Sequence, residues 1–209
     1  TLYLGRNIVN GGVPFNRHTK LSKVIIGDSV TSINTYAFLG CTNLKEVTIG
    51  NSVESTGISS FEGCTNLKTV KMGNSVTDIS GSTFNGCSLL TDFVIPNTVK
   101  SIGNSVFRNC NGLTEFVIPD SVTSIGSAAF YNTGWYKKQS DGLLYLGNWL
   151  VGYKGTMSDN ISVDIIDGTK GIAGSTFSNC SKLSSVNIPN SVAYICNSAF
   201  YGCTGLRSV

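Results

Sequence analysis

The residues best suited to metal binding, disulfide formation or nucleophilic attack are seven cysteines, set against a single histidine. Read alone, Cys41 in "FLGCTNLKEVTIGNSV" suits any of the three roles. Six of the seven, Cys41, Cys64, Cys87, Cys110, Cys180 and Cys203, follow a phenylalanine by three residues, while His18 and Thr133 hold that place after Phe15 and Phe130. In a stacked chain such residues point the same way from parallel backbones. A row of that kind cannot converge on one point as tetrahedral zinc requires, and its parallel Cβ vectors do not suit a disulfide. The row is therefore expected to be buried, each thiol acting as a small hydrophobe. Cys196 stands apart, where Gly103 and Gly126 sit in other units, and is the candidate for a reactive or intermolecular thiol.

Other chemistry finds little support. His18 falls at a core position, no P-loop is present, and no G-x-G-x-x-G follows a strand and opens a helix. Eight residues after each Phe the chain reads Lys23, Glu46, Thr69, Asp92, Glu115 and Ser185. Stacked at about 4.8 Å, Asp92 and Glu115 would titrate together or hold a cation. A catalytic pair also needs a cleft and further polar groups, which the sequence does not supply. No catalytic residue, cofactor or metal is expected.

The elements that position these residues follow from one period. Phe15, Phe38, Phe61, Phe84, Phe107 and Phe130 are 23 residues apart, as are Phe177 and Phe200. Leucine follows six residues later, then an apolar pair such as Val47 with Ile49, which makes L-x-x-V-x-I a strand-like segment. An Asx comes next, at Asp28, Asn51, Asn74, Asn97, Asp120 and Asn190, and is expected to bond its own backbone at a corner. A second extended segment follows, as in Val76 with Ile79 or Val99 with Ile102. The approach to each Phe has room for a turn or two of helix at most. A 23-residue unit cannot bury its own apolar face, so the chain is predicted to be an α/β repeat solenoid of eight or nine coils, mostly short parallel strands with short helical turns. Both ends fall inside a repeat, so residues 1–209 are expected to be one solenoid segment excised from a longer protein.

Composition limits the function further. Hydrophobic residues make up 41% of the chain, enough for a packed core, and charged residues only 13%. The net charge of +3 has no basic run behind it, which sets nucleic acid aside. No stretch approaches the ~20 apolar residues that span a bilayer, and Thr1 to Asn10 carry no signal-peptide pattern.

The phrase "FRNCNGLTEFVIPDSVTSIGSAAF", residues 107–130, resembles the repeat of BspA-like leucine-rich repeat proteins, found on host-associated bacteria and some protists. "NTGWYKKQSDGLLYLGNWLVGYKGTM" and "GGVPFNRHTKL" resemble variant units of the same proteins, so the likeness spans nearly the whole chain. It implies a right-handed leucine-rich-repeat superhelix, secreted or attached to the cell surface, that adheres to host proteins, other cells or matrix components. Thr56 in place of the usual Ile, and His18 and Thr133 in the cysteine column, are departures expected to loosen packing locally.

Two regions are candidates for contact with a partner. Phe130 and Phe177 are 47 residues apart, leaving an irregular insertion at about 131–160. Its "LLYLGNWLVGY" reads as a hairpin turning at Gly147 and Asn148 or as an extra coil, and it gathers Trp135, Tyr136, Tyr145, Trp149 and Tyr153. These rings either fill the wider coil or face a partner, a carbohydrate included. The open sheet face is the second region, with Lys45, Glu46, Thr48, Lys68, Thr69, Lys71, Asp92, Val94, Glu115 and Val117. A shallow, extended surface of mixed charge with outward valines suits a protein or cell-surface macromolecule better than a buried ligand. The sequence therefore points to a non-catalytic adhesion or protein-interaction module. A structural spacer presenting other domains is the alternative, and carbohydrate binding through the aromatic insertion is another.

Overall fold

A coil of 23 residues has too little interior of its own, so each is stabilised by what the next coil lays over it. The computed structural model describes residues 1–7 and 15–208; Gly11–Pro14 of the first variant unit lie outside them. Along the described residues run β1 (Leu2–Leu4), β2 (Lys23–Ile26), β3 (Glu46–Ile49), β4 (Thr69–Lys71), β5 (Asp78–Ile79), β6 (Asp92–Phe93), β7 (Ser101–Ile102) and β8 (Ser124–Ile125). The short helix α1 (Gly134–Lys138) and the strands β9 (Gly142–Leu146) and β10 (Trp149–Lys154) come next. The chain then returns to the repeat with β11 (Ile161–Asp164), β12 (Gly171–Ile172), β13 (Leu183–Asn187) and β14 (Tyr194–Ile195).

The strands pair one coil with the next. β1, β2, β3, β4 and β6 form a parallel sheet whose register matches like positions, Lys23 with Glu46 and Val24 with Val47. The V-x-x-I segments form a second parallel sheet, β5-β7-β8, extended by single bridges from Ser32 to Ser55 and from Ser55 to Asp78. After the insertion the same two walls resume as β11-β13 and as β10-β12-β14. In β2 and β3 alternation buries Val24, Ile26, Val47 and Ile49 and turns Lys23 and Glu46 outward.

Between the walls the phenylalanines form an unbroken stack from Phe15 to Phe130, with successive ring centroids 5.2 to 6.0 Å apart. Phe177 and Phe200 stack again at 5.3 Å beyond the insertion. Turn backbone is laddered too. The N–H groups of Phe38, Phe61, Phe84 and Phe107 donate to Ser60, Thr83, Val106 and Ala129 of the next coil, at 2.8 to 3.0 Å.

Three local expectations change. The approach to each Phe is a series of turns, and the one helix among the described residues is α1. The reason is a pair of left-handed residues four apart in each coil, such as Ser59 (φ 51°) with Gly63 (φ 71°), which no helix accommodates. Two of the Asx side chains reach forward instead of into their own turn: Asp28 Oδ1 accepts from the Asn51 N–H at 2.6 Å, and Asn51 Oδ1 from the Asn74 N–H at 3.2 Å. Stacking sets the next coil's N–H nearer than the side chain's own turn. Finally, residues 114–118 form no strand, although their pattern matches the others. Phe93 and Phe116 replace the buried valine there and remain half-buried, packed edgewise on Phe107 and Phe130 at 4.8 Å. Phe93 still pairs with Val70 in β6, whereas no strand forms around Phe116, and the first sheet ends at β6.

Thr56 does not loosen its coil. It is fully buried, its hydroxyl shared with Thr83 Oγ1 at 2.9 Å and accepting from the Ser80 N–H at 3.0 Å. Its neighbour Ser60 is also fully buried, but the hydroxyl has no hydrogen-bond partner. The equivalent Ala37 shows that a methyl group fits this column. Replacing Ser60 by alanine is expected to stabilise the protein by about 1 kcal/mol, because an unpaired buried hydroxyl is removed at no packing loss. Urea denaturation followed by circular dichroism measures it; a destabilised Ser60→Ala would contradict the assignment.

Candidate functional site

The cysteine column is buried at Cys41, Cys64, Cys87 and Cys110, and each thiol does more than fill space. Cys41 Sγ donates to the Phe15 carbonyl at 2.9 Å, Cys64 to Phe38 at 3.2 Å, Cys87 to Phe61 at 3.2 Å and Cys110 to Phe84 at 3.1 Å. Cys203 repeats the bond to Phe177 at 3.0 Å. Five of the six thiols thus bond their coil to the one before it, while Cys180 makes no such bond and both it and Cys203 are half-buried, against the expectation of full burial. Burial pushes the Cys41, Cys64 and Cys87 thiols above their ordinary value of 9.0, and Cys110 up to about 12. Thiols held in the protonated form are poor nucleophiles and poor metal ligands. Cys196 is half-buried, its sulfur 3.5 Å from the Ile125 N–H.

On the sheet face, Lys45, Glu46, Lys68 and Lys71 are exposed and Thr48 and Thr69 half-buried. Pairing sets Glu46 beside Thr69 and Thr48 beside Lys71. Lys23 reaches Glu46 at 2.8 Å; this hydrogen bond, and then the charge of Lys23, hold the Glu46 carboxyl below its usual range. A shallow groove of about 220 Å3 runs over Lys23, Glu46, Thr48, Thr69 and Lys71. Farther along the face Asp92 and Glu115 are exposed, and Val94 and Val117 stand 73% and 83% exposed. Asp92 and Glu115 are not brought into register, because the ladder that would align them ends at β6. Among the described residues no group of three or more His, Cys, Asp or Glu gathers where a metal ion would bind.

The insertion is a hairpin, β9 and β10 joined antiparallel through Gly147 and Asn148. Its two tryptophans belong to the core, which corrects their assignment as partner contacts. Trp135 closes the phenylalanine stack, edge-on to Phe130 at 6.5 Å. Trp149 is fully buried because its strand partner Gly171 has no side chain: a Cβ there would lie 2.5 Å from the indole ring. The ring passes over Gly171 to stack on Tyr194 at 6.1 Å. Neither indole presents a face to a sugar, so the carbohydrate reading loses its basis. Tyr136, Tyr145 and Tyr153 stay half-buried, and the Tyr145 hydroxyl accepts from the Ile166 N–H at 3.3 Å.

Where the hairpin and α1 leave the stack, a cavity of about 210 Å3 opens, with Phe130, Tyr131, Trp135, Tyr136, Val151 and Tyr153 among its walls. Tyr131 and Gly152, which also lines it, carry no sequence signal beyond an exposed aromatic and a glycine inside a strand pattern.

The two parallel walls, the stacked aromatic core and the coil-to-coil bonds define a repeat solenoid of the leucine-rich type, about eight coils long. The family model for the BspA type leucine rich repeat region matches residues 13–135 and 156–209, in six copies, and the chain belongs to that family. The gap between the two matched stretches holds the hairpin. Among solved structures, the chain is similar to a T. pallidum leucine rich repeat protein, with 28% identity and a TM-score of 0.59 over 90% of this chain and 79% of that one. A leucine-rich repeat protein from Eubacterium ventriosum shares the fold at 22% identity and a TM-score of 0.55, over 99% of this chain and 66% of the other. No curated protein matches the chain. Among the described residues no helix is long and apolar enough to cross a membrane.

The thiol column makes stability depend on alkaline pH. Raised folded-state values mean that its contribution is fully present below about pH 9 and is lost as pH climbs through the folded values, about 12 for Cys110. Each buried thiol steepens the loss by about 1.4 kcal/mol per pH unit in that window. The urea midpoint is expected to fall steadily from pH 9 upward, and less steeply in Cys87→Ala. Equal slopes in the two proteins would show that the thiols do not carry the effect.

Proposed function

We propose that this chain is a non-catalytic protein-interaction module of a bacterial surface or secreted protein, binding a macromolecule on a host or another cell through its sheet face. Stacked repeats make extended surfaces of this kind, and the family and its structural relatives are leucine-rich repeat proteins. The observation that carries the reading is the exposure of Val94 and Val117 beside an exposed row of Lys45, Lys68 and Lys71. Exposed apolar side chains next to exposed cations make a surface better stabilised when covered. The charge changes along it: lysines lie over β3 and β4, while Asp92 and Glu115 lie toward the other end. A uniform polyanion would gain at one end and be repelled at the other. A protein with its own complementary charges meets both.

The continuous phenylalanine stack also favours a second reading, a stiff spacer that holds other domains away from the cell. One experiment separates the two. Retention of labelled protein on host cells is expected to fall about tenfold in the triple variant Lys68→Ala, Lys71→Ala, Val94→Ala, with unchanged circular dichroism. Raising the salt concentration should weaken retention of the parent protein more than that of the variant. Unchanged retention in the variant would leave the spacer.

A further inference from the structure

The cavity beside the hairpin is bounded by five segments: the turn at 127–131, α1, β9, β10 and the turn at 174–176. Its upper walls are aromatic, with Tyr131 and Tyr136 tilted against each other at 5.0 Å. Its floor carries hydroxyls, Ser127 Oγ hydrogen-bonded to Ser175 Oγ across the two turns. Tyr153, Ser175 and Thr176 form a common wall with a second groove of about 420 Å3, which is richer in polar groups and bounded by Thr156, Asn179 and Lys182. An engineered apolar cavity of about 150 Å3 is enough to take up benzene, so about 210 Å3 accommodates one ring with a substituent.

Two features argue that this space is not a mere fault of packing. Gly152 lines it from within β10, yet nothing about the backbone requires a glycine there: its φ is outside the left-handed region, and a Cβ would meet nothing nearer than Leu144 Cδ1 at 3.8 Å. Any larger residue would fill the cavity. The register of the hairpin also shifts between Leu150 and Gly152, and this bulge turns both Val151 and Gly152 to the same wall, which regular alternation would not do.

The occupant's charge follows from the rings. Arg108 lies over Tyr131 at 5.4 Å and the Lys154 ammonium over Tyr136 at 5.3 Å, so two of the three tyrosines already bear a cation. Asp141 is the carboxylate whose charge reaches Tyr136, so the charges set against these two rings, just outside the cavity lining, are two cations and one anion. A quaternary ammonium, the usual guest of a tyrosine cage, would find its sites taken and a like charge beside it. We propose that the cavity binds a small organic acid, its single aromatic or branched apolar ring between Tyr131, Tyr136 and Tyr153 and its carboxylate toward the two cations and the hydroxyl-rich groove.

Phenylacetate and benzyltrimethylammonium are matched probes, titrated into the intact chain with the Trp135 indole N–H followed by NMR. The expected result is a saturable shift with phenylacetate at millimolar concentration and binding of the ammonium weaker by roughly tenfold or more. Gly152→Leu should remove the phenylacetate shift without lowering the thermal midpoint; if that protein does not fold, Val151→Phe fills the same space and is read the same way. Failure of Trp135 to respond, equal binding of the ammonium, or undiminished binding in the filled variant would each overturn the proposal.

Discussion

Everything in this molecule depends on vertical repetition: a position in one coil is covered, bonded and held in place by the same position in the next. That constraint explains strands of two to six residues that would be unstable alone. It also explains why thiols such as Cys64, Asx side chains such as Asp28 and turn N–H groups such as that of Phe38 reach to a neighbouring coil. A lone coil would leave each of these groups and both faces of each phenylalanine in water. The cooperative unit is therefore the contact between coils.

The hairpin is where the repetition fails, and the chemistry of the interruption is specific. Thr133 takes the cysteine position but turns its hydroxyl to the Phe130 carbonyl of its own coil and accepts from the Tyr136 N–H, so it caps a helix instead of tying down a neighbour. Lys154 then donates to the Tyr136 and Gln139 carbonyls at the end of that helix, where the helix dipole favours a cation. Trp149 and Gly171 restore the stack on the far side. The aromatic cavity arises at this one departure from the period.

The architecture was legible in the sequence because a period of 23 fixes which residues stack, and stacking decides burial. Phe38, Leu44, Val47 and Cys41 lie where the spacing placed them. What the period could not tell is where side chains at a stacked position direct their polar atoms. The thiol bond to the preceding phenylalanine carbonyl and the forward reach of Asp28 depend on distances across coils, not along the chain. Pattern also did not fix pairing: Phe93 and Phe116 satisfy the same apolar rule, yet Phe93 pairs with Val70 while Phe116 lies beyond the last strand of the first sheet. The tryptophans misled because an aromatic cluster in an insertion reads alike whether it packs inward or faces out. Gly171, the residue that decides the matter for Trp149, is 22 positions away.

The break in repetition also divides the interior. The buried side chains form two clusters, one running from Leu21 through Trp149 and taking in Ala173, the other from Leu150 through Ala199. The two adjoining residues Trp149 and Leu150 therefore anchor different cores. The two cores are nonetheless bridged across the hairpin, by the Gly174 N–H on the Ile125 carbonyl at 2.8 Å and by Trp149 stacked on Tyr194 at 6.1 Å, so the wider coil splices the filament at the point where its period breaks.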